Sequence, residues 1–293
     1  MTLLDTSPSL SSVRDLVASL RWIHHELDER PDLLPCPETD GLFTSLVELV
    51  IGAPEDLADD VLADPAVQEV AGGLRELCAQ GETELERVWA ERIARSRQPA
   101  AELELFPYLD NYRALSTLEI TALTAQADRP IRSVAFIGSG PLPLSSMILS
   151  RELAARVTNV DRDAEAVALS RALGSALGYD SLLFQHADAT TADLSGHDAV
   201  VVAALVGATA LEKATILSRV AAAMDPGTLL LIRSARGMRT LLYPEVGADH
   251  LAGLDVLDVV HPDGEVINSA IIARPGTTAA SPARDTPARP AGR

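Results

Sequence analysis

The second half of the chain alternates short apolar runs with helical segments, and this alternation restricts the fold more than any other feature of the sequence. The apolar runs predict strands at residues 133–137, 156–160, 181–185, 198–204 and 228–233. Helical periodicity occupies the intervals, as at residues 164–176 and 210–224. Apolar strands that are separated by helices are typical of a parallel α/β sheet whose strands are buried on both faces.

The end of this half has a different pattern. Residues 254–260 and 265–273 are joined by the turn sequence Pro262-Asp263-Gly264, which predicts an antiparallel hairpin. A mostly parallel sheet that ends in such a hairpin is the usual outline of an S-adenosylmethionine-dependent transferase domain, whereas a dinucleotide-binding domain would continue with parallel strands. We therefore expect a Rossmann-like domain over residues 119–275 and, from its Pro-, Ala- and Thr-rich composition, a disordered tail over residues 276–293.

The first part of the chain has helical periodicity throughout. Apolar residues recur at helical spacing in residues 13–30, 40–51 and 65–97, and the last of these segments is predicted to form two or more helices. Residues 1–118 are therefore predicted to form a helical bundle domain. The fold class as a whole is α/β: a helical bundle followed by the Rossmann-like domain.

The charge balance excludes some kinds of partner. Acidic residues outnumber basic ones by 42 to 24, so the formal charge is −18. Such a surface repels phosphates, and we expect small-molecule substrates, with no nucleic acid and no membrane partner; a homodimer is left open. Two lone cysteines and the lack of a secretory leader predict a cytoplasmic protein. Since His, Cys and acidic residues are not clustered at metal-ligand spacing, no metal is expected to be required.

The first predicted strand runs into the sequence GSGPLP at residues 138–143. Gly138, Ser139 and Gly140 allow a tight turn and let a ligand approach the backbone. The loop is not a phosphate-binding G-x-G-x-x-G sequence, because Pro143 stands at the third glycine position and prolines remove amide donors. It suits a ligand without phosphates, such as S-adenosylmethionine, and the alternative is an ordinary strand-to-helix turn.

Two acidic residues follow the next strands. Asp161 ends the second predicted strand, where this fold offers a carboxylate to ribose hydroxyls. Asp188 follows the third strand, where a transferase domain usually contacts the adenine amino group. Each acid alone could be solvated in its loop. Together with the glycines, they predict a nucleoside site at the carboxyl ends of successive strands.

Several motifs then match one family together. They are DGLFTSLV at residues 40–47, LC at 77–78, FPYLDNY at 106–112, FIGSGPLPLSS at 136–146, AALVG at 203–207, EK at 212–213, RSARG at 233–237 and LYP at 242–244. In these motifs, which cover about residues 30–274, the chain resembles the nicotianamine synthases. Leu109 departs from the family by standing where the plant enzymes usually carry a second tyrosine, and Trp89 follows the acidic helix, and both differences concern the acceptor substrate.

The resemblance implies an unusual use of S-adenosylmethionine as a substrate. An amine attacks the γ-carbon of the methionine moiety, the 3-amino-3-carboxypropyl (aminobutanoyl) group is transferred, and 5′-methylthioadenosine leaves. The expected product is nicotianamine or a related metallophore precursor. The alternatives are a single transfer to histidine or glutamate, closure to azetidine-2-carboxylate, an ordinary methyltransferase and, less expected, a binding protein without turnover.

The resemblance also implies roles for particular residues. Glu82 and Glu86 are four residues apart and share one face of a helix. Glu82 is the first choice for the group that takes the proton of the acceptor amine, because the resemblance places the family's catalytic glutamate in this helix after the LC motif, and Glu86 is the second choice. A solvated helix surface is the alternative for both. Tyr108 is expected to orient the amino-acid end of the donor. Ala203 and Leu205 are expected to line the S-adenosylmethionine site.

The expected acceptor-binding residues come from two segments. Tyr112 shares the proline-containing loop with Tyr108, although packing at the domain junction is an alternative for both. Arg233 and Ser234 stand at the end of the fifth predicted strand, and Arg239 and Tyr243 follow it. An arginine can bind a carboxylate through two parallel hydrogen bonds, although Arg239 could instead form a surface ion pair.

Overall fold

A computed structural model of the chain describes residues 12–207 and 209–276. The predicted α/β class is confirmed, with a helical N-terminal part followed by a mostly parallel sheet. Apart from Gly276, the tail predicted over residues 276–293 lies outside the described residues, and so do residues 1–11.

Four helices begin the described chain: α1 (Val13–Asp28), α2 (Pro37–Gly52), α3 (Glu55–Ala63) and α4 (Pro65–Arg95). The expectation of two or more helices over residues 65–97 is wrong, because α4 is one continuous helix of 31 residues. Two of its three glycines are packing positions: a Cβ on Gly73 would lie 2.4 Å from His24 Nε2, and one on Gly81 would lie 2.4 Å from Phe43 Cζ. The small residues let α1 and α2 approach α4 closely.

Two more helices lead to the sheet: α5 (Pro99–Leu103) and α6 (Leu109–Ala125). The predicted boundary at residue 118 falls inside α6. Apolar residues of α6 and of the C-terminal part of α4 pack in the same core cluster as the sheet residues Phe136 and Leu231. The helical part and the sheet therefore share a core at this point.

Five parallel strands form most of the sheet: β1 (Ser133–Ile137), β2 (Arg156–Asp161), β3 (Leu182–His186), β4 (Ala199–Val202) and β5 (Leu229–Ser234). Each lies within two residues of its predicted bounds. Helices α7 (Leu144–Leu153), α8 (Ala164–Ala176) and α9 (Ala210–Ala223) connect or follow them. The strand order is β3-β2-β1-β4-β5-β7-β6.

The last two strands, β6 (Leu254–Val260) and β7 (Ser269–Pro275), form the predicted antiparallel hairpin. The second of them starts four residues later than predicted. β7 lies between β5 and β6 and is antiparallel to both, and Ser269 is opposite Ser234. Because β7 runs against the parallel strands, its beginning lies at the edge where those strands end.

Candidate active site

A cavity of about 330 Å³ lies at the carboxyl ends of the parallel strands. Loops after all five strands contribute to it, and α4 and α6 supply its opposite wall with Glu82, Glu86 and Tyr112. Its volume is in the range of small-molecule sites, and the edge of the sheet is where open α/β folds bind ligands.

The glycine loop forms the floor of this cavity. Gly138 and Gly140 have φ values of 77° and 65°, in the left-handed region that favours glycine. A Cβ on Gly138 would lie 2.4 Å from Val206 Cγ2, and one on Gly140 would lie 2.6 Å from Glu86 Oε2. Glycine is therefore needed at both positions, and at Gly140 it lets a carboxylate of α4 approach the loop.

Asp161 holds the glycine loop in place. Its Oδ2 accepts a hydrogen bond from Gly140 N at 2.8 Å, and its Oδ1 accepts one from Asp163 N at 3.0 Å. Ser170 Oγ donates to the carbonyl of Gly140 at 2.7 Å. A carboxylate has about four lone-pair sites, so Asp161 keeps acceptor capacity for hydroxyl groups of a ligand.

Asp188 lines the same cavity at the end of β3. Its Oδ1 accepts hydrogen bonds from Thr190 N at 2.8 Å and from Thr190 Oγ1 at 2.6 Å. These bonds, the one from the side chain first, hold the pKa of Asp188 below its usual value. The group is therefore an ionised acceptor, which suits a contact with an amino group.

Two carboxylates of α4 share one tyrosine. Tyr112 Oη lies 2.8 Å from Glu86 Oε1 and 3.2 Å from Glu82 Oε1, and Tyr243 Oη donates to Glu82 Oε2 at 2.8 Å. Burial raises the pKa of Glu82. Burial and the charge of Glu82 raise the pKa of Glu86 well above its usual value. The result is a pair of interacting acids beside the glycine loop, of which Glu86 is the more readily protonated.

Arg233 lines the cavity with its guanidinium engaged by a residue that the sequence did not single out. Arg233 Nε donates to Glu119 Oε1 at 2.6 Å and Nη2 donates to Glu119 Oε2 at 2.9 Å, and both side chains are buried. Nη2 also donates to Ser145 Oγ at 2.7 Å. The bidentate contact that was expected for an acceptor carboxylate is thus made with Glu119. Any contact of Arg233 with a ligand has to use Nη1.

Most of the predicted site residues come together in the cavity. Those that line it are Glu82, Tyr112, Gly138, Ser139, Gly140, Asp161, Asp188, Ala203, Leu205, Arg233 and Tyr243, together with the second-choice acid Glu86. Their roles stay predictions, because the structure shows proximity and contacts and does not show a reaction.

Three predicted residues do not line the cavity. Tyr108 is 37% exposed, and its ring packs edge-on against Phe106 at the start of α6. Ser234 Oγ accepts a hydrogen bond from Val246 N at 2.8 Å, so it holds a backbone segment. Arg239 Nη2 donates to the carbonyl of Gly264 at 2.7 Å, which ties it to the β6–β7 connection. Direct contact of these three with a ligand is not supported by their placement.

Several cavity residues were missed. Ser146 and Asn268 line the cavity, and so does Ser145, the partner of Arg233. Ser145 and Ser146 belong to the motif after β1 and could have been found there. Asn268 lies between the recognised turn and β7, in a segment whose sequence matches no motif. It reaches this edge of the sheet because β7 runs antiparallel beside β5.

The buried Lys213 supports the wall after β4. Its Nζ donates to the carbonyl of Ala204 at 2.7 Å, and burial lowers its pKa to about 8. The contact fixes the loop that carries Ala203 and Leu205. The motif EK marked this lysine in the sequence without indicating what it does.

Among residues 12–207 and 209–276, no set of three or more His, Cys, Asp or Glu side chains is arranged so that it could hold a metal ion. The helices in this part of the chain are all too short or too polar to cross a membrane.

The sheet order, the glycine loop after β1 and the acids after β2 and β3 define the chain as an S-adenosylmethionine-dependent transferase by fold and site. Residues 10–280 match the protein family that is described as "Nicotianamine synthase protein". The chain belongs to the nicotianamine synthase family, and the predicted resemblance is confirmed.

Curated relatives and solved structures agree with this family. The chain is 39% identical over 281 residues to nicotianamine synthase 3 of Oryza sativa subsp. indica, covering 92% of this chain and 80% of the relative. It is 40% identical over 268 residues to nicotianamine synthase 9 of Hordeum vulgare, covering 88% and 78%. A glutamate-to-glutamine variant of MtNAS in complex with S-adenosylmethionine has a TM-score of 0.77 at 25% identity, covering 89% of this chain and 98% of that one.

A second solved structure of the same protein contains two ligands. MtNAS in complex with MTA and tNA also has a TM-score of 0.77 at 25% identity, with 90% of this chain and 96% of that chain covered. The predicted enzyme class, a transferase that uses S-adenosylmethionine, is confirmed by these relatives.

Proposed function

We propose that this enzyme transfers 3-amino-3-carboxypropyl groups from S-adenosylmethionine to an amine, releases 5′-methylthioadenosine and makes nicotianamine. Family membership supports the reaction, and the relatives' names support the product. The observation that carries the proposal is the pair Glu82 and Glu86, bridged by Tyr112 and facing the glycine loop. An acceptor amine is mostly protonated at neutral pH and needs such a base at the site.

Glu82 is assigned as this base by counting hydrogens. The hydroxyl of Tyr112 has one proton and two carboxylate neighbours. When the more readily protonated Glu86 donates to Tyr112 Oη, the proton of Tyr112 is left for Glu82. Glu82 then accepts hydrogen bonds from Tyr112 and Tyr243, and both bonds favour its ionised form against the effect of burial. It is poised to take a proton from an ammonium group, while Glu86 stays neutral.

The donor side of the cavity is assigned to the strand ends. Gly138, Ser139 and Gly140 let the nucleoside approach the backbone, and Asp161 and Asp188 offer acceptors to ribose hydroxyls and the adenine amino group. Ala203 and Leu205 form an apolar wall, held by Lys213. S-Adenosylmethionine supplies a sulfonium: a C–N bond forms as the γ-carbon–sulfur bond breaks, and the electron pair leaves with sulfur.

The finer expectations are also proposals. A nicotianamine product would be a metallophore precursor. A cytoplasmic location is supported by two free cysteines, Cys36 and Cys78. The division into a helical part over residues 1–118 and a nucleoside-binding part over residues 119–275 is supported by the helices and the sheet, although the two share α6. A homodimer is left open.

Product analysis tests the reaction. The purified enzyme is incubated with S-adenosylmethionine alone and then with added histidine or glutamate, and products are separated and weighed by mass spectrometry. The expected result is 5′-methylthioadenosine, with nicotianamine formed from S-adenosylmethionine alone. A product that requires histidine or glutamate and carries one transferred group would indicate single transfer. Release of S-adenosylhomocysteine only, or of no product, would contradict the proposal.

A further inference from the structure

Asn268 is the one cavity residue from the β6–β7 hairpin, and its side chain has an unused donor. It is 6% exposed, it lines the cavity, and its Nδ2 has no hydrogen-bond partner. A buried amide nitrogen without an acceptor destabilises the folded protein. Alanine would avoid this cost, so the amide is explained best by an acceptor that a ligand brings.

The register of the sheet places Asn268 beside Arg233. Ala270 is opposite Arg233 and Ser269 is opposite Ser234 on the antiparallel pair β5–β7. Residues two apart in an extended chain share a face, so Asn268 is expected on the face that carries Ala270 and Arg233. Glu119 and α6 also lie on this face.

A second unpartnered donor lines the cavity. Ser146 is 1% exposed, its Oγ has no partner, and its chain neighbour Ser145 contacts Arg233. The free donors therefore accompany a cation whose charge is balanced by Glu119. Glu82, in contrast, presents to the same cavity a carboxyl group whose oxygens accept hydrogen bonds from Tyr112 and Tyr243. The cavity thus offers both hydrogen-bond acceptors and unpartnered donors, and an amino-acid zwitterion needs both.

We propose that Asn268 binds the α-carboxylate of an amino-acid substrate, with Ser146 and Arg233 beside it, while Glu82 faces the ammonium or amine. This role rests on the proposed function, since the ligand is either the methionine moiety of S-adenosylmethionine or the acceptor amino acid. Both offer the same carboxylate chemistry. Asn268 is a substrate-binding residue in this assignment, and Asn111, which donates to Glu265 O at 2.9 Å, holds the same hairpin connection from outside the cavity.

Calorimetric titration separates the two sources of the carboxylate. Asn268→Ala is titrated with S-adenosylmethionine, with decarboxylated S-adenosylmethionine and with 5′-methylthioadenosine. If the donor carboxylate is bound, affinity for S-adenosylmethionine falls about tenfold to a hundredfold, as expected for a hydrogen bond to a charged group, while the two ligands without a carboxylate bind as before. If the acceptor carboxylate is bound, S-adenosylmethionine binding is unchanged and the affinity for nicotianamine falls by a similar factor.

A second variant and a control keep the test independent of folding. Asn268→Asp keeps the shape of the side chain and replaces the donor with an acceptor. The affinity for the carboxylate-bearing ligand should therefore fall further in Asn268→Asp than in Asn268→Ala. Asn111→Ala disturbs the same connection and should leave all four affinities within about twofold of the parent. Equal losses for ligands with and without a carboxylate, or no loss in either Asn268 variant, would overturn the assignment. Failure of the unaltered enzyme to bind S-adenosylmethionine would instead contradict the proposed function itself.

Discussion

The two walls of the cavity, one at the strand ends and one on helices α4 and α6, present different chemical groups. The strand-end wall consists of glycine backbone, apolar side chains and single carboxylates that accept hydrogen bonds from backbone amides of the strand-end loops, as Asp161 does from Gly140. The helix wall presents Glu82, Glu86 and Tyr112 from two long helices, with raised pKa values caused chiefly by burial. Rigid loops that approach a ligand closely suit binding, whereas coupled acids suit proton transfer. The difference indicates that binding and chemistry can be removed separately.

The largest effect is expected on the helix wall. Glu82→Gln keeps the shape of the side chain and removes the base, so turnover should fall about 10²–10⁴-fold. Binding of S-adenosylmethionine should stay within a few-fold of the parent, because the strand-end wall is intact. Single-turnover rates and calorimetric titration measure the two quantities.

A matched control for this change lies on the same helix. Glu84 forms an ion pair with Arg87 and does not line the cavity, so Glu84→Gln should retain the rate of the parent. A single-turnover rate of Glu82→Gln within threefold of the parent would mean that the base is elsewhere, and Glu86 would be the next residue to change.

On the strand-end wall, Asp161→Ala should weaken S-adenosylmethionine binding about tenfold to a hundredfold, because it removes a hydrogen-bond acceptor and releases the amide of Gly140. Asp225 provides the matched control, since its Oδ2 accepts a hydrogen bond from Gly196 N at 2.7 Å outside this cavity. Asp225→Ala should leave the dissociation constant unchanged. Titrations in which Asp161→Ala binds as tightly as the parent would remove this residue from the ligand site.

A smaller effect is expected from the tyrosine that joins the two acids. Tyr112→Phe removes the hydroxyl that bridges Glu82 and Glu86 and keeps the ring, so turnover should fall about tenfold. Tyr108→Phe should change the rate less, because Tyr108 does not line the cavity. Single-turnover rates of both variants are compared. A larger fall in rate for Tyr108→Phe than for Tyr112→Phe would support the role of Tyr108 in orienting the donor.

The smallest effect concerns stability. The pKa of Glu86 is raised by burial and by Glu82, so its protonated form is favoured on folding. This contribution to stability is fully present below the unfolded-chain value near 4.5 and is lost as pH rises through the raised folded value. Glutamine does not titrate, so Glu86→Gln avoids this pH-dependent loss of stability. The free energy of unfolding of Glu86→Gln should exceed that of the parent at pH 8 by about 1 kcal/mol.

Urea unfolding at several pH values checks this expectation. The advantage of Glu86→Gln should shrink as pH falls toward 5, and Glu84→Gln should show no such trend. A constant difference between Glu86→Gln and the parent across the pH range would show that Glu86 does not carry a raised pKa.

How far the sequence predicts the site depends on where each residue's neighbours lie in the chain. Asp161 and Asp188 were found because each follows a strand, and the carboxyl ends of parallel strands meet at one edge. Glu82 and Glu86 were connected to the site by the family resemblance, because helical spacing alone is equally typical of a solvated surface. Arg233 was found without its partner, because Glu119 is 114 residues away and no local pattern connects the two.

The sequence by itself determined the elements and the strand-end wall, because hydrophobic periodicity, turn residues and glycine conformations act over a few neighbouring residues. Tertiary structure decided the rest. The continuous α4 places Glu86 against Gly140, and the antiparallel insertion of β7 brings Asn268 to the edge where the parallel strands end. Both placements depend on packing between distant segments, in which burial and close contact across the fold select the neighbours that a local pattern leaves open.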